Sequence, residues 1–255
     1  MRITVLWLLV LLPAVAFCET LEETHYLELS TKDIQTLKIH CGSGFLTVIG
    51  ANGIDRIRAT AKIEVRDMAA DEFQKYLENQ LRLSLSKRAN DAVLQAEIKK
   101  SFQREIEATI DLTVIVPRAL NVSIEDGSGP IIVTNLSGAL QVDDDSGMID
   151  IINMQGNIRV EDGSGGIDIQ DVRGNVEVLD GSGEIKIGLI QGHVSITDGS
   201  GSITIQDIDG SVTVTDGSGS IEIHQVTQNV FIRQAGTGNL EIEGVKGKLT
   251  RREGN

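Results

Sequence analysis

The chain is poor in the residues from which enclosed active sites and tight interfaces are usually built. Of its 255 residues, 3 are proline, 2 are cysteine and 3% are aromatic. Two cysteines, Cys18 and Cys41, spaced neither as metal ligands nor as a redox pair, exclude a disulfide-rich or zinc-held scaffold. The four histidines, His25, His40, His193 and His224, show no metal-ligand spacing. The serines fall in turns rather than at a strand-to-helix nucleophile position. No catalytic residue is therefore assigned, and each histidine reads as solvated surface. Basic residues are nearly missing from the middle of the chain, where Asn121 to Gln228 hold 18 acidic and 3 basic side chains. Such a surface repels nucleic acid and anionic lipid, and favours cations, basic partners or plain solubility.

Long hydrophobic runs are also lacking. The apolar run is Ile3 to Leu12, shorter than the about 20 residues a membrane helix needs. With Arg2 before it, Pro13 after it and Ala14-Val15-Ala16 as a small-x-small cleavage site, residues 1–16 read as a cleaved export signal. The mature chain then starts near Phe17, without a transmembrane segment, and the expected location is periplasmic or extracellular. Trp7 leaves with the signal. Phe17 is a poor fit to the small residue that lipoprotein processing prefers before a cysteine such as Cys18. In an oxidising compartment Cys18 and Cys41 are a candidate disulfide, closing a loop of about 22 residues for ~3 kcal/mol. A hairpin joining Tyr26–Leu29 to Leu37–Cys41 would leave Cys18 off register, so the pairing stays open.

What the chain has in abundance is glycine, 27 residues, placed periodically. Asp-Gly-Ser-Gly or Asp-Asp-Ser-Gly begins at Asp126, Asp144, Asp162, Asp180, Asp198 and Asp216, every 18 residues without insertion or deletion. A fixed period of this kind marks a repeat whose units bury their apolar faces only against one another. In the unit Asn175–Gly192 the apolar residues are Val176, Val178, Ile185, Ile187 and Ile190. The first two pairs alternate with polar residues, the period-two pattern of strands with one buried face, and β-branched side chains fill those columns. The unit has no helix and its strands are too short for a propeller blade.

The fold these observations predict is all-β, a parallel β-helix (β-solenoid) with 18-residue coils. Successive coils lie about 4.8 Å apart, so seven of them, from Asn121 to Gly247, make a rod about 34 Å long. The seventh is degenerate, with Gln234 in place of the aspartate and one extra residue in Ala235-Gly236-Thr237-Gly238. Leu37 to Val48 aligns as a founding coil, with Cys41 in the aspartate column, and closes an N-terminal region of 17–53. Residues 54–120 form an insertion that caps the open end. It holds a strand with Ile57, Ala59, Ala61, Ile63 and Val65 on one face, and a short helix on Ala69, Phe73 and Leu77. Strands follow around 81–85, 92–98 and 106–116. Residues 248–255 read as a polar tail.

The exported N-terminus, the first Cys41-Gly42-Ser43-Gly44 coil, the Thr113-Val114-Ile115-Val116-Pro117 strand and the run of Gly-Ser-Gly-x-Ile-x-Ile units together carry a resemblance. The chain resembles the bacterial putative-adhesin family of exported β-strand repeat domains. The resemblance covers nearly the whole mature chain and implies an extracytoplasmic β-solenoid, with no catalytic residues to carry over.

The aspartate column is the one candidate for repeated chemistry. Each aspartate can accept hydrogen bonds from the amides of its own turn, whose glycines supply the positive φ of the corner. Alternatively, Asp126, Asp144, Asp162, Asp180, Asp198 and Asp216 form a ladder of metal ligands. Carboxylates ~4.8 Å apart repel by roughly 0.9 kcal/mol even at the dielectric of water, and Ca²⁺ would relieve this. The nine-residue period of calcium-binding β-rolls is absent. Within the coils Phe231 is the one aromatic residue, and Arg159, Arg173 and Arg233 the only arginines. Any protein or envelope partner is therefore held weakly and at many sites, or through the insertion around Phe73 and Tyr76. The expected function is that of a non-enzymatic, adhesin-like structural or interaction module without a cofactor. A cation-dependent surface protein is second, and a polysaccharide-acting enzyme third.

Overall fold

The structure is a computed structural model, and it describes residues 20–99 and 106–252. The export signal and Cys18 lie outside the described residues, so Cys41 is seen as a free thiol with its candidate partner out of view.

Alternation of apolar and polar residues in short runs produces strands almost everywhere. The chain opens with β1 (Leu21–Ser30), β2 (Thr36–Cys41), β3 (Leu46–Ala51) and β4 (Arg56–Val65). The helix α1 (Ala70–Gln80) follows, then β5 (Leu81–Arg88), β6 (Asp91–Ile98) and β7 (Ala108–Pro117). Each later coil supplies two strands. The first three coils give β8 (Asn121–Asp126) and β9 (Ile131–Thr134), β10 (Leu140–Asp144) and β11 (Gly147–Met154), and β12 (Ile158–Asp162) and β13 (Gly165–Arg173). The next three give β14 (Val176–Asp180) and β15 (Gly183–Gln191), β16 (Val194–Asp198) and β17 (Gly201–Asp209), and β18 (Val212–Asp216) and β19 (Ile221–Val226). The last comprises β20 (Val230–Ala235) and β21 (Leu240–Val245), with β22 (Leu249–Arg251) after it.

Two 11-stranded sheets result, one running β1-β4-β7-β3-β9 and on through the odd strands to β21, the other β22-β20 through the even strands to β8-β2-β6-β5. Through the coils every pairing is parallel and, as far as the last coil, offset by one period, so Val176 lies on Val194 and Ile185 on Ile203. The solenoid is thus a flattened coil of about seven turns. Its core is a set of Val and Ile columns between the two sheets, nearly all 0–2% exposed. Hydrogen bonds run from coil to coil, so no coil satisfies its own backbone.

The coils approach closely at the Gly-Ser-Gly corner. Gly183 has φ +155°, and a Cβ there would lie 1.5 Å from the Gly165 carbonyl oxygen. A side chain cannot fit at that position without separating two coils.

The N-terminal residues extend the same architecture. β2 and β3 form the founding coil, paired in register with β8 and β9. β6 and β7 then lie parallel to β2 and β3, one in each sheet, as a further turn of the solenoid. Antiparallel strands finish both edges: β5 on β6, and β4 then β1 beyond β7. The helix joins β4 of one sheet to β5 of the other and buries Phe73 and Leu77. Ala69 is not on that buried face; it is the exposed N-cap, and Met68 is buried in its stead. The β1–β2 hairpin does not form either. Tyr26–Leu29 pairs with residues 57–60, because β4 offers ten consecutive partners, whereas β2 is claimed on both sides by β6 and β8.

Two further expectations change at the C-terminal end. The aspartate column passes to Ala235, not Gln234: Val214 pairs with Ile232 but Thr215 with Gln234, so Arg233 is the extra residue, bulged out of β20. The supposed polar tail contributes β22, whose Leu249 lies on Val230 and Arg251 on Ile232. Arg251 therefore takes an apolar column at the open edge, where a charge discourages further strand addition.

The alternation makes a sharp mutational contrast. Ile203→Asp sets a lone carboxylate in a dry column, an uncompensated charge worth ~3–5 kcal/mol. At ~2–4 °C per kcal/mol for a chain of this size, the melting temperature falls by about 10 °C or more. Thr204→Asp, on the outer face of the same strand, shifts it by about 2 °C or less. Thermal denaturation followed by circular dichroism compares the two.

Candidate functional site

The aspartate column closes the inner face of every even strand from β8 to β18. In β10 the alternation Leu140, Val142, Asp144 puts the aspartate on the buried side, and the other units repeat it. All six carboxyls are buried, Asp126 being 8% and Asp216 0% exposed. Consecutive members sit directly above one another, from Asp126 on Asp144 to Asp198 on Asp216. Cys41 continues the column at its N-terminal end, its thiol 3.8 Å from the Glu125 carbonyl oxygen. Burial and the neighbouring Asp126 carboxylate push that thiol well above its usual range. Ala235 ends the column at the other side.

In Asp162, Asp180, Asp198 and Asp216 one carboxyl oxygen has a turn-capping role, whereas at Asp144 both oxygens are buried without a partner. The backbone N–H of Ser164, Ser182, Ser200 and Ser218 donates to Oδ1 of the aspartate two residues earlier, at 3.3, 3.1, 3.1 and 2.9 Å. This is the Asx-turn geometry expected of an aspartate at such a corner. The other oxygen has no such role: Oδ2 of all six aspartates is buried without a hydrogen-bond partner. Burial, which disfavours the charged form, is the main cause of a rise in pKa from 3.8 to about 6 at Asp126, Asp144, Asp162, Asp180 and Asp198. At Asp144, Asp162, Asp180 and Asp198 the preceding aspartate adds to it. Asp216 moves in the same direction. Among the described residues no three His, Cys, Asp or Glu side chains converge as a metal site. A cation on the ladder would accordingly rest on two stacked carboxyls and the backbone.

A second ladder, which the sequence reading did not single out, runs along the corner that opens the even strands. Oδ1 of Asn157 accepts from Asn175 N–H, and Oδ1 of Asn175 from His193 N–H, each at 2.9 Å. His193 takes the same role with Nδ1, accepting from Ser211 N–H at 3.1 Å. A recurring Asn before the apolar pair was the available signal. Beside this corner, on the outer side of the second sheet, lies an open groove of 610 Å³ lined by Asn157, Arg159, Asn175 and Glu177 among others.

The remaining histidines stay apart and are less solvated than expected. His25 Nε2 lies 2.8 Å from Glu23 on an inward face, and His40 Nδ1 lies 2.8 Å from Glu125. His224 lies 4.0 Å from Glu243. Each is held by one carboxylate from a neighbouring position rather than gathered into a common site.

No family model matches the sequence, and no curated protein does. Among solved structures the chain is similar to a putative adhesin from Bacteroides fragilis, at 16% identity over 90% of this chain and 97% of the other, with a TM-score of 0.50. A putative cell adhesion protein from Clostridium sporogenes matches at 11% identity over 88% and 99%, with a TM-score of 0.32. A putative lipid binding protein from Parabacteroides distasonis matches at 13% identity over 91% and 97%, with a TM-score of 0.35. The first of these shares the fold, an extended two-sheet β-solenoid, and at such identity the likeness goes no further than the fold.

Raised carboxyl pKa values link proton uptake to folding. A folded pKa near 6 against 3.8 means that the folded chain binds more protons than the unfolded one between those values. The ladder's stabilisation is complete below about pH 4 and is lost as pH rises through about 6. The melting temperature is therefore higher at pH 5 than at pH 8. Replacing Asp162, Asp180 and Asp198 with Asn keeps the Oδ1 acceptor and removes the titration. That variant loses much of the difference and melts higher than the parent at pH 8. An unchanged pH profile in the variant would place the titration elsewhere.

Proposed function

We propose that the protein is a non-enzymatic, adhesin-like structural or interaction module working outside the cytoplasm. The observation that carries this reading is the regularity of the coils. From β8 to β19 every inward column continues without interruption, so no coil departs from the repeat to enclose a reaction centre. Most outward columns present polar side chains at one repeat per coil, a pattern suited to many weak contacts rather than one tight one. The acidic surface and the signal-like residues 1–16 support an exported, soluble or surface-held rod. Among the described residues no helix is long and apolar enough to cross a membrane. The solved relatives named as adhesins are in keeping with this reading.

The unpartnered Oδ2 oxygens favour a second reading, in which a divalent cation on the aspartate ladder conditions the surface. Beads coated with the purified protein separate the two when passed over intact bacterial envelopes. The first reading expects retention that soluble protein competes away and that EDTA leaves unchanged. The second expects retention abolished by EDTA, restored by Ca²⁺, and missing in the Asp162/Asp180/Asp198→Asn variant. Envelope polysaccharide cut by the protein would overturn both.

A further inference from the structure

The outer face of the first sheet is polar over most of its length, but not across β3, β9 and β11. One outward row there reads Phe45, Pro130, Met148, one position before the paired Leu46, Ile131 and Ile149. The next reads Thr47, Ile132, Asp150, and the third Ile49, Thr134, Ile152. Phe45 and Met148 are each 55% exposed and Ile152 46%. On β13 and β15 the same rows become Gly166, Asp168, Gln170 and then Glu184, Lys186, Gly188. On the other flank, β7 brings Asp111, Thr113 and Ile115 into these rows, and β4 beyond it Lys62, Thr60 and Arg58. A local cluster of Phe, Met and Ile on an otherwise polar sheet marks an interaction surface.

We propose that this face binds a second copy of the chain, through a two-fold axis that runs parallel to the strands and passes over β9. The arrangement of the rows selects this occupant. Such an axis keeps each row on itself and reverses the order of strands, so β3 of one copy faces β11 of the other. Phe45 then meets the second copy's Met148, Ile49 meets its Ile152, and Ile132 meets its own symmetry mate. The Thr47 hydroxyl faces the second copy's Asp150 carboxylate. Three strands out from β9, Lys62 on β4 lies opposite Glu184 of the second copy. The patch is thus complementary to itself, as an isologous contact requires. An axis along the rod is disfavoured by charge. It would stack Asp150 on Asp150 and Asp168 on Asp168, and set Lys62 against Arg58. Two sheets packed face to face with aligned strands are an ordinary sandwich, into which each copy brings a finished sheet.

Sedimentation equilibrium of the purified protein over micromolar concentrations tests the proposal. The expected result is a monomer–dimer equilibrium that Phe45→Asp with Met148→Asp weakens by about a hundredfold, since two central anchors are lost on each side. Both side chains are exposed, so the circular dichroism melt stays that of the parent; Ile152→Gln provides a milder version of the same test. Lys62→Glu and Glu184→Lys each shift the equilibrium toward monomer, and the two together restore the dimer. A monomer at every concentration overturns the proposal, as does a dimer that survives the Phe45/Met148 variant. Failure of the double charge reversal to restore the dimer overturns the axis and with it the assignment. Vesicles of phosphatidylcholine and phosphatidylglycerol provide the alternative occupant: a monomer that sediments with them, and ceases to in the Phe45/Met148 variant, gives the face to a lipid surface instead.

Discussion

Backbone pairing between successive coils is the constraint on which the rest of this molecule depends. Each coil donates to and accepts from the coils on either side, and only the corners also use side-chain acceptors. Since one inserted residue would turn every later side chain to the opposite face, the period has to hold. It holds without exception from Asp126 to Asp216. The same constraint explains the glycines at the corner, where the backbone of one coil lies against the next, and the uniform Val and Ile columns. A column can carry only what fits above and below it.

The aspartate ladder shows the cost of this rule. An Asx turn is a favourable way to close a corner, and once one coil uses it, every coil that copies the corner adds a carboxyl to the same file. From Asp162 to Asp216 the first oxygen gains an amide. The second gains only another carboxyl one coil away, with burial to discourage ionisation. Cys41 at one end and Ala235 at the other leave the file bounded by neutral groups. Turn capping and proton binding are thus two properties of one side chain, not competing explanations of it.

The inward columns were legible in the sequence because burial acts on every second residue and leaves an alternation that chemistry alone reveals. Ile57 to Val65 on β4 could be read in the same way. Partner choice was less legible: β1 reads as a strand, but nothing in its own residues says that β4 rather than β2 receives it. The corners were read unevenly. Asp-Gly-Ser-Gly is conspicuous, whereas the Asn157–Asn175–His193 ladder mixes two residue types that share only an acceptor in the right place. The other corner, with φ between 55° and 63° at Asn135, Asn153, Asp171, Leu189, Asp207 and Gln225, escaped notice for a similar reason. Asn and Asp are at ease there, but Leu189 and Gln225 are not, so no composition marks the column. In the last coil, counting alone put the extra residue in the turn; pairing put it at Arg233, where a bulge costs one ladder bond and leaves the corner its length.

That bulge has a meaning beyond its own coil. A stack of nearly identical units is degenerate under translation: sliding one part of the chain by a whole period keeps apolar residues on apolar ones and aspartate on aspartate, so the interior carries little information about its own position. Position has to be written in whatever fails to repeat. At one end that is the antiparallel strands and the helix; at the other it is Arg233, where the offset between partners changes from 18 to 19 residues. A slipped stack would match everywhere except at these two marks, and the correct alignment of the whole rod is decided by them.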